Sequence, residues 1–115
     1  MSQKLKTTLQ LKTKTAKNYN AIVTVLENNI DKNLSVSDIA KMCNISEINL
    51  KKTFSRYSGM GVIQYFNHLK IMAATNMLKN GMMVKETAAA LGFSNQNYFS
   101  TVFKRVTGFS PTNYK

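Results

Sequence analysis

His68 and Cys43 carry the most reactive side chains of this 115-residue chain, and each is the only residue of its type. Acid–base or nucleophilic catalysis needs such groups clustered, with a base in reach of a nucleophile. Neither residue has an activating partner in the sequence, and the five acids (Glu27, Asp31, Asp38, Glu47 and Glu86) are dispersed. No set of His, Cys and carboxylate has the spacing of a metal site. Cys43, within Ile39-Ala40-Lys41-Met42-Cys43, reads as a small buried thiol. An enzyme is therefore the least supported class, and neither cofactor nor metal is expected.

The abundant chemistry is reversible binding. Sixteen Lys and Arg stand against five acids, for a net charge of +11 and a pI near 10.0. So basic a balance in a short chain suits a polyanion: DNA, RNA or an anionic membrane surface. No apolar run approaches the roughly 20 residues of a membrane span. Thr and Gln interrupt the N-terminus where a signal peptide would be apolar. These features point to the cytoplasm and away from a membrane.

Binding side chains must be held at one surface by rigid elements, and the pattern is helical. Residues 1–18 contain five lysines, several threonines and no acid, show no helical stripe, and read as a flexible basic arm or linker. Ile22, Val25, Leu26 and Ile30 lie at helical spacing in a first helix from near Tyr19 to about Asp31–Asn33. Ser35 caps a second helix bearing Val36, Ile39, Ala40 and Cys43. Ser46 caps a third, with Leu50, Phe54 and Tyr57 facing inward and Gly59 as its stop. From Gly61 to about Lys79 runs a longer helix, apolar nearly all round, as a helix buried between two partners would be. Asn80-Gly81 ends it. A short helix over Val84 to about Leu91 follows, then Gly92, a helix from Asn95 to Thr107, Gly108, and a last helical turn opened by Ser110-Pro111.

These elements repeat. A shift of 48 places Val36 on Val84, Ala40 on Ala88, Asn44 on Gly92 and Ile45 on Phe93. Past the turn the shift is 49, placing Leu50 on Phe99, Phe54 on Phe103, Gly59 on Gly108 and Tyr65 on Tyr114. Each copy is a short helix, a tight turn, a longer helix and a glycine stop. Ala40 and Ala88 are small where the second helix crosses the first, and Asn44 and Gly92 allow the chain to reverse. Leu50 with Phe54, and Phe99 with Phe103, pin the longer helix to the core and leave its other face outward. This is the logic of a helix-turn-helix, whose second helix reads base edges in the major groove. The chain is thus expected to be all-α, with units over 19–60 and 81–115 and a connecting helix over 61–80. About 18 residues of connecting helix span roughly 27 Å. With the flanking helices added, the reading helices come near one duplex turn apart, about 34 Å.

The outward positions assign the contacts. On the first reading helix these are Glu47, Ile48, Lys51, Lys52 and Ser55. Lysine reaches guanine O6 and N7, and Ile48 suits a thymine methyl. Glu47 fits either cytosine N4 or the positive end of its own helix. On the second helix they are Asn95, Gln96, Asn97, Ser100, Thr101 and Lys104. Gln96 and Asn97 match adenine N6 and N7, whereas Asn95 reads as the cap. Tyr98 fits either the sugar-phosphate or the edge of the core. Phosphate contacts are expected from Arg56, Lys104 and Arg105, and from helix N-termini near Val36, Val84 and Ser110. Arg105 also suits a packed or solvent-facing role.

At these motifs the sequence resembles the AraC/XylS family of bacterial transcription regulators, over about residues 20–115. The second unit carries most of the resemblance: Ala88-Ala89-Ala90-Leu91-Gly92-Phe93-Ser94-Asn95-Gln96-Asn97-Tyr98-Phe99-Ser100, Phe103-Lys104, Gly108, Ser110-Pro111 and Tyr114. Tyr65-Phe66, Lys70-Ile71, Ala74 and Leu78 match in the connecting helix, and Ala40, Ser46, Leu50 and Phe54-Ser55 in the first unit. Lys70 stands where the family usually has arginine, and Thr101 where arginine is frequent. The resemblance implies seven helices, two subdomains and an asymmetric promoter site. It further implies control of transcription, more often activation through RNA polymerase, and in many relatives a preceding sensor or receiver domain. Two rivals remain: a non-specific RNA- or polyanion-binding protein, which lacks the expected aromatic platform, and a protein-interaction bundle without nucleic acid.

Overall fold

The sequence dictates helices with marked starts and stops, and the computed structural model of the protein follows those marks over residues 18–114. The basic arm expected over 1–18 lies outside the described residues except for Asn18, which opens α1 (18–27). There follow α2 (Val36–Cys43), α3 (Glu47–Ser58), α4 (Val62–Lys79), α5 (Val84–Ala90), α6 (Gln96–Thr107) and a 3-10 turn (Pro111–Tyr114). The described residues contain no strand. The count differs from the seven helices implied above. The last turn comprises four residues, Pro111 included, and is 3-10 in its bonding, Asn113 N–H donating to the Ser110 carbonyl at 3.1 Å. α1 also ends earlier than its apolar spacing suggests, because residues 28–31 turn. There the Asn29 amide bonds back to the Val25 carbonyl at 2.6 Å.

Each cap has a local cause. Ser35 and Asp38 close a reciprocal capping box on α2, the Ser35 hydroxyl accepting from Asp38 N–H and the Asp38 carboxylate from Ser35 N–H. Those bonds from Ser35 hold the Asp38 carboxyl below its usual range. Ser46 accepts from Asn49 N–H on α3, and Asn95 from Tyr98 N–H on α6. Asn44 adopts the left-handed conformation at φ 56°.

The core forms two clusters strung along α4. Ile22, Leu26, Ile39, Ala40, Leu50, Phe54, Val62 and Phe66 make one. Ile71, Ala74, Leu78, Ala88, Leu91, Phe99, Val102 and Phe103 make the other. The N-terminal half of α4 thus serves the first cluster and its C-terminal half the second, which explains apolar residues on more than one face. Ile30 packs against both clusters. Two expected core positions differ. Tyr57 is exposed and stacks on Tyr19, ring centroids 5.5 Å apart. Cys43 is half-buried, and that burial raises its thiol pKa, which disfavours the reactive thiolate.

Candidate nucleic-acid interface

The repeat read in the sequence recurs bond for bond. Ile45 N–H donates to Ala40 O at 3.0 Å, and 48 residues on Phe93 N–H donates to Ala88 O at 3.1 Å. Asn44 N–H to Lys41 O matches Gly92 N–H to Ala89 O, both at 3.1 Å. At the far end of the reading helices, Gly59 N–H to Ser55 O (2.9 Å) matches Gly108 N–H to Lys104 O (2.8 Å). Ala40 and Ala88 are buried to the same extent, 3% exposed. One repeated device was missed in the sequence. Ser58 Oγ lies 2.7 Å from Phe54 O and accepts from Met60 N–H; Thr107 Oγ1 lies 2.9 Å from Phe103 O and accepts from Phe109 N–H. The shift of 49 maps Ser58 on Thr107, so the signal was present as a pair of hydroxyls before each stop.

With Leu50 and Phe54 buried, α3 turns Ile48, Lys51, Lys52, Ser55 and Arg56 outward, and Ile48 is 73% exposed. Lys51 and Ser55 share a groove of about 340 Å³ with Val36 at the start of α2 and Gly61 before α4. The start of α4 was not among the expected phosphate contacts, although the shift of 49 maps Gly61 on Ser110. Lys52, Ser55 and Arg56 line a second groove along α3. Glu47 is exposed in the first turn, where a carboxylate favours the helix dipole.

On α6, Gln96, Asn97, Thr101 and Lys104 are exposed, while Ser100 and, beyond the helix, Ser110 are half-buried. The Thr101 hydroxyl donates to Asn97 O at 3.0 Å, which leaves its methyl and its two lone pairs for a partner. Arg105 is exposed but lines a crevice with Gln64 and His68 of α4. Tyr98 leans inward: its ring lies 5.9 Å from Phe93, and its hydroxyl is 3.3 Å from the Asn67 amide that donates to it. Among the described residues, no three His, Cys, Asp or Glu are grouped to hold a metal. No helix there is long and apolar enough to cross a membrane.

A family model described as a helix-turn-helix domain matches residues 39–115. A solved AraC-type DNA-binding-domain regulator from Chromobacterium violaceum superposes with a TM-score of 0.79 at 24% identity, covering 89% of this chain and 92% of that one. The chain belongs to the AraC/XylS family. The HTH-type transcriptional activator RhaR of Cronobacter sakazakii is 33% identical to this chain over 91 residues. That match covers 78% of this chain and 32% of RhaR, so the chain spans about a third of the length of the curated relatives it matches. The DNA-binding domain of AdpA, solved with a target DNA, has a TM-score of 0.78 at 21% identity over 84% of this chain and 87% of that one.

Proposed function

We propose that the chain reads double-stranded DNA sequence-specifically and regulates transcription, placing α3 and α6 in successive major grooves on one face of the duplex. In this reading, 19–60 and 81–115 are two helix-turn-helix subdomains, and the helix of 61–80 sets the distance between them. The observation that carries it is the bond-for-bond repeat of the turn, with an outward polar face on each second helix and a net charge of +11. Action is by binding, with no covalent step. Ile48, Lys51 and Lys52 read one groove, and Gln96, Asn97, Ser100 and Thr101 the other. Arg56, Lys104, Arg105 and the turn at Ser110 hold phosphates. The effect is activation, with RNA polymerase as a partner in the cytoplasm and a sensor or receiver domain as a further one.

Selection from a random duplex pool at about physiological salt, where non-specific binding is weak, tests this. One asymmetric motif with two elements about one turn apart supports it. Equal retention of all sequences, with RNA equal to DNA, sinks specific reading in favour of a polyanion binder.

A further inference from the structure

Lys70 is a lysine in the core. It is 3% exposed, on the same stripe of α4 as Val62, Phe66, Ala74 and Leu78. Its ammonium donates to three backbone carbonyls: Ile30 (2.8 Å) and Lys32 (2.6 Å) in the loop between α1 and α2, and Leu91 in the turn between α5 and α6. An ammonium has three donors and no acceptor, so the set is complete. Phe66 of the first cluster and Phe93 beside the second lie 4.4 and 5.6 Å from the ammonium at their ring centroids. Opposite the lysine, Gly92 backs onto the same loop, where an added Cβ would stand 2.7 Å from the Lys32 carbonyl carbon. A charge taken out of water costs free energy unless fully partnered. This one is partnered by loops from both ends of the molecule.

We infer that Lys70 is a positioning residue, which fixes the second reading helix against the first and so sets the permitted spacing between the two DNA elements. The inference rests on the two-groove reading proposed above. α4 sets the distance between the two subdomains, and because each cluster packs on a different half of it, contacts outside α4 are what further fix their relative orientation. The Lys70 ammonium, Ile30 and the Gly92 contact join the two ends directly across the waist. Rigid linkage makes the second element an intramolecular contact at high effective concentration, and a loose waist forfeits that gain.

The test uses the whole chain and its selected operator, with each element alone, both together, and both with one base pair inserted or removed between them. Lys70→Met keeps the length and removes the charge, but it leaves the Ile30, Lys32 and Leu91 carbonyls without their donor, so its folding is verified first by circular dichroism. Should it not fold, Lys70→Gln carries the test. The variant should bind each single element as the wild type does. It should lose about ten-fold or more on the joined operator, and its penalty for a changed spacer should shrink. Lys70→Arg, which keeps the donors, should retain wild-type behaviour. Unchanged joined affinity and spacer penalty in the uncharged variant overturns the inference, as does Lys70→Arg behaving like Lys70→Met. A wild type that reads sequence but gains nothing from joined elements also overturns it, and leaves DNA reading intact. If the wild type ignores sequence altogether, the DNA reading fails, and NMR alignment of the two clusters without DNA decides on the lysine. One shared orientation in the wild type and two independent ones in Lys70→Met support it; one shared orientation in both overturns it.

Discussion

The two copies of the helix-turn-helix close their turns with the same hydrogen bonds but not with the same residue. Asn44 closes the first at φ 56° and Gly92 the second at φ 74°. Left-handed backbone explains why neither is β-branched, since asparagine tolerates it and glycine adopts it freely. It does not explain why the second is glycine. That comes from what lies behind the turn: Asn44 is exposed, whereas Gly92 sits against the backbone of residues 31–33. The first turn answers to its own geometry alone, and the second also answers to the other half of the molecule.

The largest expected effect breaks that difference. Gly92→Ala should lower stability by more than the roughly 1–3 kcal/mol of left-handed strain, because its Cβ must also displace the 31–33 backbone. Asn44→Gly removes a strained side chain that contacts no such backbone, and its change should stay within about 1 kcal/mol. Urea unfolding of the two variants measures both. Comparable losses at the two turns would mean that the waist contact contributes nothing.

The reading helices differ as well: the proposed base readers include Lys51 and Lys52 on α3 and the amides Gln96 and Asn97 on α6, while both helices carry further exposed cations. Gln96→Ala should cost about 1–3 kcal/mol on the preferred operator and relax preference at one position, since an amide pairs with one base. Arg56→Ala, at the proposed phosphate contact on α3, should instead weaken all sequences nearly alike and reduce the salt slope by about 1. Salt-dependent titrations on operator and scrambled duplexes separate the two. If Gln96→Ala loses equally on both duplexes, α6 does not read bases through that residue.

How much of this was legible depended on whether neighbours in sequence or neighbours in space decide a residue's role. Caps, turns and the i,i+4 pairs are local, so Ser35, Ser46, Asn95, Leu50 with Phe54, and Phe99 with Phe103 sit as their spacing predicts. The outward faces of α3 and α6 follow from those pairs. Tyr57 is one helical step from Phe54 but lies past the edge of the core, where Tyr19 covers only part of it. Arg105 points along α4 because of where α6 crosses it, which no pattern within α6 encodes. The burial of Lys70 was half-visible: positions 62, 66, 70, 74 and 78 form one unbroken stripe with a lysine in its middle. Its three acceptors belong to loops 38 to 40 residues before it and 21 after, beyond the reach of any periodicity.

A pH test sharpens the contrast between that lysine and the exposed ones. Burial pushes Lys70 down to about 8 from the ordinary 10.5, and Asp31 opposes the shift. Between these values the unfolded chain holds more protons at this residue than the folded one, so stability gained from it rises as pH climbs from 8 toward 10.5. The difference in unfolding free energy between wild type and Lys70→Met should therefore change in favour of the wild type across that window. A difference independent of pH would mean that Lys70 titrates as an exposed lysine does.

The smallest effect concerns the first helix of each unit. α2 starts with a capping box, whereas α5 starts at Met83, which makes no side-chain cap and is 56% exposed. Ser35→Ala should cost about 0.5–2 kcal/mol, the usual loss when a capping hydroxyl is removed. Met83→Ser should move stability the other way: the residue already has the extended backbone of a cap (φ −71°, ψ 151°), and Glu86 stands three residues on, as Asp38 does from Ser35. The new hydroxyl would meet an unbonded N–H of the first turn, and Glu86 would complete the reciprocal bond. Thermal melts of the two variants check it. A rise for Met83→Ser would show that α5 is uncapped by sequence alone; no change would mean that packing of Ala88 and the fully buried Thr87 already holds its first turn.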